Sequence, residues 1–258
     1  MSLDTGEGIE GTLKKTNLGV EPKINREKEN VKKDSLDGFN IKDYLLNNMV
    51  KVDTENKNFV LEVLKYPVTQ ELYHQYDPDK VFKMENPNFP ADEIRWIDAI
   101  GFCNWLSKKE NKKPCYKENE EEETGLTYWS CDESADGYRL PSKVDWFFVA
   151  KEGNHNSNFK FSGSSRIENV AWYGGNSHSE LHEVGQKNPN KLGLYDLSGN
   201  VMEFCWDKYK SSPERIACGG SAISDEELCM VNMDNSLHFK DGVPSPFVGF
   251  RLFRYINN

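Results

Sequence analysis

The spacing of apolar positions changes along this chain, and each change marks a different kind of element. Phe59-Val60-Leu61-Glu62-Val63-Leu64 is dense enough in apolar residues for a buried strand, and Val50 and Val52 alternate with polar neighbours just before it. With Leu45-Leu46 they open the globular part, which is expected to begin near Ile41. Ala99, Phe102, Cys103 and Leu106 fall on one face of a helix predicted from Trp96 to Lys109, so Cys103 is read as packing. Thr69 is placed to cap a short helix carrying Leu72, Tyr73 and Tyr76. Ser142 and Asp145 outline a capping box after Pro141, ahead of Trp146, Val149 and Ala150. Beyond Gly153, Gly, Asn, Ser and Pro punctuate short aromatic runs, the pattern of short strands and long irregular loops. Residues 1–40 are polar without a sustained apolar period and read as a tether or surface extension, leaving 41–258 as the domain. No repeat of solenoid or propeller length is visible.

Composition narrows the function classes. Across 258 residues, 37% hydrophobic and 12% aromatic content suffices for a core. A formal charge of −10 disfavours nucleic acid and anionic lipid as partners. No apolar run reaches membrane-helix length, so direct membrane insertion is not expected. The opening Met1-Ser2-Leu3 reads as an expression remnant, so the missing signal leaves localisation open. Six cysteines are too sparse for a disulfide scaffold, and none forms a CxxC pair. Cys115 and Cys131 flank the acidic stretch Glu120 to Glu123 and are placed to bond in an oxidising compartment, while Cys205 and Cys218 read as packed thiols. His178 and His182 are the one histidine pair at i, i+4 spacing, but in a polar loop they read as exposed side chains.

An ordered series of words resembles the formylglycine-generating-enzyme, or sulfatase-modifying-factor, family. It runs through Tyr66-Pro67-Val68-Thr69-Gln70, Ile94 to Ser107, Gly137-Tyr138-Arg139-Leu140-Pro141, Asn169-Val170-Ala171-Trp172-Tyr173 and Asn188-Pro189-Asn190. Gly193 to Phe204, Gly219-Gly220-Ser221 and Gly249-Phe250-Arg251-Leu252 complete it. The resemblance implies an α+β protein with a C-type lectin fold: a small antiparallel sheet, two main helices and long irregular loops. Taken singly, each word also has a plain structural reading: Gly199-Asn200 as a turn, Trp146 and Trp172 as core, Arg139 as a loop anchor.

The resemblance also implies a copper(I) site of two thiolates after the Gly-Gly-Ser word, and those positions are Ser224 and Cys229. A neutral serine hydroxyl is a hard ligand and cannot replace a thiolate, so the oxidase chemistry is expected to be lost. Cys229 alone reads as a small buried hydrophobe. In relatives a structural calcium is held near the Gly-Asn-Val word, here Gly199, Val201 and Glu203; a loop-bonding carboxylate at Glu203 is the other reading. No other cofactor is expected.

Between the Gly-Gly-Ser and Gly-Phe-Arg-Leu words, the chain resembles the variable proteins of diversity-generating retroelements. There adenine-directed mutagenesis of AAY codons rewrites the segment without producing Glu, Lys, Gln, Met or Trp. From Asp234 to Phe247 only Lys240 departs from that rule. A variable segment of about 222–247 is therefore expected, with ligand-facing residues Ala222, Ile223, Ser224, Asn232, Asp234, Asn235, Ser236, Leu237, His238, Phe239, Asp241, Val243, Ser245 and Phe247. Its mixture of aromatic, apolar and small polar groups suits adaptable recognition. Pro244 and Pro246 disfavour a regular central strand there. The reading is a monomeric, non-catalytic protein at the cell surface or outer membrane, anchored through an N-terminal signal outside this sequence, with a protein or other macromolecule as ligand. A thiol-directed oxidase or oxygenase of the same family is the alternative.

Overall fold

The computed structural model describes residues 38–54, 59–153, 157–232 and 234–257, and Gly38–Asn258 form one compact unit. The tether expected over 1–40 lies, apart from its last three residues, outside the described residues, as does His155.

The fold starts with a helix that the sequence reading missed, α1 (Ile41–Asn48), capped by the Asn40 side chain, which accepts from the Asp43 N–H. Only Ile41 and Leu45 of α1 are buried, too few to show a helical period. Strands β1 (Met49–Asp53) and β2 (Phe59–Leu64) pair antiparallel, and the C-terminal strand β9 (Phe253–Asn257) adds to the other edge of β2. The short helix α2 (Gln70–His74) begins where Thr69 Oγ1 accepts the Leu72 N–H at 3.3 Å. Such caps contribute about 1 kcal/mol.

Helix α3 spans Trp96–Lys109 and buries Ala99, Phe102, Cys103 and Leu106 against Tyr73, Leu72 and Phe250 in the larger core cluster. An exposed hairpin, β3 (Tyr116–Glu120) and β4 (Thr127–Cys131), follows. Helix α4 (Lys143–Ala150) is capped by Ser142, whose Oγ accepts the Asp145 N–H at 3.1 Å and donates to the Asp145 carboxylate at 2.6 Å. Trp146 and Val149 of α4 belong to the second core cluster, with Leu61, Val63, Leu197, Cys205 and Cys218.

The other strands form a four-stranded sheet in the order β7-β6-β5-β8: β5 (Met202–Lys208), β6 (Arg215–Cys218), β7 (Ser236–Phe239) and β8 (Val248–Gly249). The two main helices and long loops agree with the expected α+β lectin-type fold. Among the described residues the strands divide into three small sheets rather than one, and β5 pairs with β8 in parallel. The parallel pair arises because the chain crosses the whole segment after β6 before returning beside β5.

Candidate functional site

The segment between β6 and β8 hangs from a buried frame. Glu203 on β5 and Arg251, both essentially free of solvent contact, form an ion pair in which Arg251 Nη2 donates to Oε1 at 2.6 Å and Nε donates to Oε2 at 3.0 Å. Trp146 Nε1 donates to Glu203 Oε2 at 2.7 Å. The remaining Arg251 hydrogens reach the carbonyls of Leu64, Lys65 and Tyr195 at 2.6–2.9 Å, so both buried charges are fully satisfied. Gly219 closes against this frame at φ +98°, where an added Cβ would lie 3.0 Å from the Trp146 ring. Close approach together with positive φ explains the glycine.

The same ion pair bears on the calcium expectation placed on Gly199, Val201 and Glu203. Both Glu203 oxygens already accept charge-assisted or indole hydrogen bonds, and a divalent cation there would face the guanidinium of Arg251. The Glu203 carboxylate therefore does not fit as a calcium ligand. Among the described residues no group of three or more His, Cys, Asp or Glu side chains is placed to hold a metal.

The first residues of the segment are core, which corrects the expectation that Ala222 and Ser224 face a ligand. Ala222 is fully buried; its N–H donates to the Asn200 carbonyl at 2.9 Å and its carbonyl accepts from Ser177 Oγ. Ser224 is also buried, its hydroxyl accepting the Ser221 N–H at 2.9 Å and its carbonyl accepting the Gly174 N–H at 2.8 Å. Of this trio only Ile223 is exposed. Cys229 packs against Gly220, where an added Cβ would fall 2.6 Å from its sulfur. Burial pushes the Cys229 thiol up to about 12, which keeps it protonated at neutral pH.

From Asn232 onward the segment turns outward. Asn232, Asp234, Leu237, His238 and Val243 are exposed, whereas Asn235, Ser236, Phe239, Asp241, Ser245 and Phe247 are half-buried. β7 is the edge strand of its sheet, with His238 opposite Ile216 and Phe239 opposite Arg215. The prolines lie beyond it, in accord with the expectation of no central strand. His238 stacks on Tyr209 at 3.8 Å and its Nδ1 lies 2.6 Å from Glu214. Phe239 meets Phe204 edge-on at 6.2 Å. The far end is tied down by the Phe247 N–H, which donates to Asp92 at 3.2 Å, and by the Phe247 carbonyl, which accepts from Met202 at 2.9 Å. Phe247 sits at φ +58°, an uncommon conformation for a bulky side chain that these two bonds hold in place.

All six cysteines are free thiols, with Cys205 and Cys218 in contact at 3.8 Å between sulfurs. His178 is exposed, but His182 is half-buried and stacks on Trp172 at 3.7 Å, with Lys187 Nζ 3.9 Å from the same ring. Trp146 is core as expected, whereas Trp172 is only half-buried. Arg139 does anchor a loop, donating to the carbonyls of Ala135 and Glu133. The sequence reading did not bring Arg215 together with Trp96 and Trp206: Trp206 is close by on the neighbouring strand β5, but Trp96 lies far away in sequence on α3, and the cluster appears only in the fold.

A lectin-like scaffold with a buried, satisfied frame and a mostly exposed loop-and-strand segment defines the class. The family described as Sulfatase-modifying factor enzyme 1-like domain matches residues 24–256, and the chain belongs to it. The chaperone protein LppX of Paenibacillus barcinonensis is 33% identical over 238 residues, covering 79% of this chain and 84% of that protein. The formylglycine-generating enzyme of Thermomonospora curvata is 21% identical over 179 residues, and the chain covers 48% of that enzyme. Among solved structures, Treponema denticola variable protein 1 superposes with a TM-score of 0.68 at 26% identity, covering 80% of this chain and 94% of that one.

Proposed function

We propose that this chain is a non-catalytic binding protein of the cell envelope whose ligand, a protein, is read by Ile223, Asn232 and the run 234–247. The observation that carries this reading is the contrast within one segment: its ends are fixed by Glu203–Arg251, Asp92 and Asn200, while Leu237, His238 and Val243 stand exposed between them. Such a surface can change without disturbing its support. The similarity to a variable protein supports diversification of this segment by a retroelement. A neighbouring reverse transcriptase gene and a near-copy of the segment rich in AAY codons would be the genomic mark.

Loss of the oxidase function is part of the proposal. Ser224 has its hydroxyl in hydrogen bonds to Ser221, and Cys229 is a buried thiol. Incubation with copper(I) and a cysteine peptide is expected to leave the peptide thiol intact; turnover at an enzyme-like rate would overturn the proposal. The relative named a chaperone favours one second reading, in which exposed Ile223, Leu237 and Val243 hold an unfolded client. Suppressed aggregation of reduced lysozyme, lost on changing those three residues to serine, would select it over recognition of a folded ligand.

A further inference from the structure

Arg215 opens β6 and is only 4% exposed, yet among the described residues its guanidinium makes no ion pair. Its guanidinium carbon lies 3.6 Å from the centre of the Trp96 ring and 5.2 Å from that of Trp206. Nη1 donates to the Trp206 carbonyl at 2.9 Å. Nε is buried and has no partner, and among the described residues Nη1 is the only guanidinium nitrogen with a hydrogen bond.

Two other arginines show what this edge does when it is filled. Arg251 turns Nε and Nη2 onto Glu203, and Arg95 turns the same two nitrogens onto Asp98 at 2.6 Å each. That two-pronged arrangement matches the spacing of carboxylate oxygens. In Arg215 the equivalent edge is vacant. A buried cation without hydrogen-bonded compensation is costly, and facing aromatic rings offset only part of that cost. Burial accordingly lowers the Arg215 pKa, with Asp241 the strongest opposing charge, although Asp241 is not within ion-pair distance.

The vacant edge borders the exposed segment. Arg215 pairs with Phe239 across β6 and β7, and the following turn is held beside Trp96 by the Ile97 N–H, which donates to the Asp241 carbonyl at 3.3 Å. That turn is closed by a Val243-to-Lys240 backbone bond of 3.2 Å, and Gly242 within it has no atom within 4 Å of where a Cβ would stand.

We infer that the Nε–Nη2 edge of Arg215 is an anchor for an aspartate or glutamate carboxylate of the protein partner, admitted when the 240–243 turn shifts. This rests on the reading that the partner covers 234–247. Whereas the exposed side chains supply variable contacts, Arg215 supplies a fixed one over the ring of Trp96, which itself packs against Trp206.

The test is a titration of the whole protein, followed by tryptophan fluorescence, with the capped peptide Ac-Ala-Glu-Ala-amide, its glutamine counterpart and inorganic phosphate. A saturable change with the glutamate peptide alone is expected. Arg215→Met should abolish it, Arg215→Lys should weaken it roughly tenfold by losing the two-pronged geometry, and Asp241→Asn should strengthen it by removing a competing charge. Equal response to the glutamine peptide, tighter binding of phosphate, or an unchanged response in a folded Arg215→Met variant would overturn the anchor. If Arg215→Met fails to fold, Asp241→Asn decides, and no gain in affinity rejects the proposal. Should the anchor fail while substitutions in 234–247 still abolish capture of a native partner, the binding-surface reading stands without it.

Discussion

Residues 219–224 and 234–247 share one crossover between β6 and β8, yet they are built on opposite principles. In the first stretch nearly every polar group is engaged: the Ser221 N–H, the Ser224 hydroxyl, and the N–H and carbonyl of Ala222 all have partners within the core. In the second, Leu237 and Val243 stand in solvent, while the backbone is held by the pairing of β7 with β6 and, beyond it, at Asp241 and Phe247. The difference teaches where sequence change can be absorbed. A buried hydroxyl leaves an orphaned donor when replaced, whereas an exposed side chain leaves only water.

The comparison breaks most sharply at the frame. Arg251→Met strands the Glu203 carboxylate in the core and is expected to cost about 3–5 kcal/mol, read by urea unfolding. Adding Glu203→Gln to that variant should recover a large part of the loss, and no recovery would mean that packing rather than charge holds the frame.

The next effect depends on pH. Burial raises Asp196 from its usual range to about 6, and its carboxylate accepts the Gly185 N–H at 2.8 Å. A folded-state pKa above the unfolded value gives stability that is full below about 3.8 and lost as pH rises through about 6. Asp196→Asn keeps the acceptor and tolerates the residue's φ of +57°. It is expected to stabilise the protein at pH 8 by up to about 3 kcal/mol and to leave it unchanged near pH 3.5. A gain equal at both pH values would assign the effect to something other than this proton.

Within the crossover, Ser224→Val is expected to cost about 1–3 kcal/mol by orphaning the Ser221 N–H, measured as a lowered denaturation midpoint. Smallest of all, Leu237→Ser and Val243→Ser should each move stability by no more than about 0.5 kcal/mol while weakening partner capture. If these two destabilise as much as Ser224→Val, the contrast between the two stretches fails.

Local patterns in the sequence determined the helices from Trp96 and after Ser142, the caps at Thr69 and Ser142, and the buried strand at Phe59 to Leu64. They could do so because spacing and capping are decided by residues within a turn or two of each other. The order of the family words likewise carried the fold class. Only the tertiary structure decided that Glu203 belongs to Arg251, that Ala222 and Ser224 face inward, that Asp196 is stripped of water, and that Arg215 lies over Trp96, beside Trp206, with no ion pair among the described residues. Each of these depends on which distant segments close over a side chain, since burial sets the cost of a charge or polar group and the neighbours set its compensation. A linear pattern of residue types records neither.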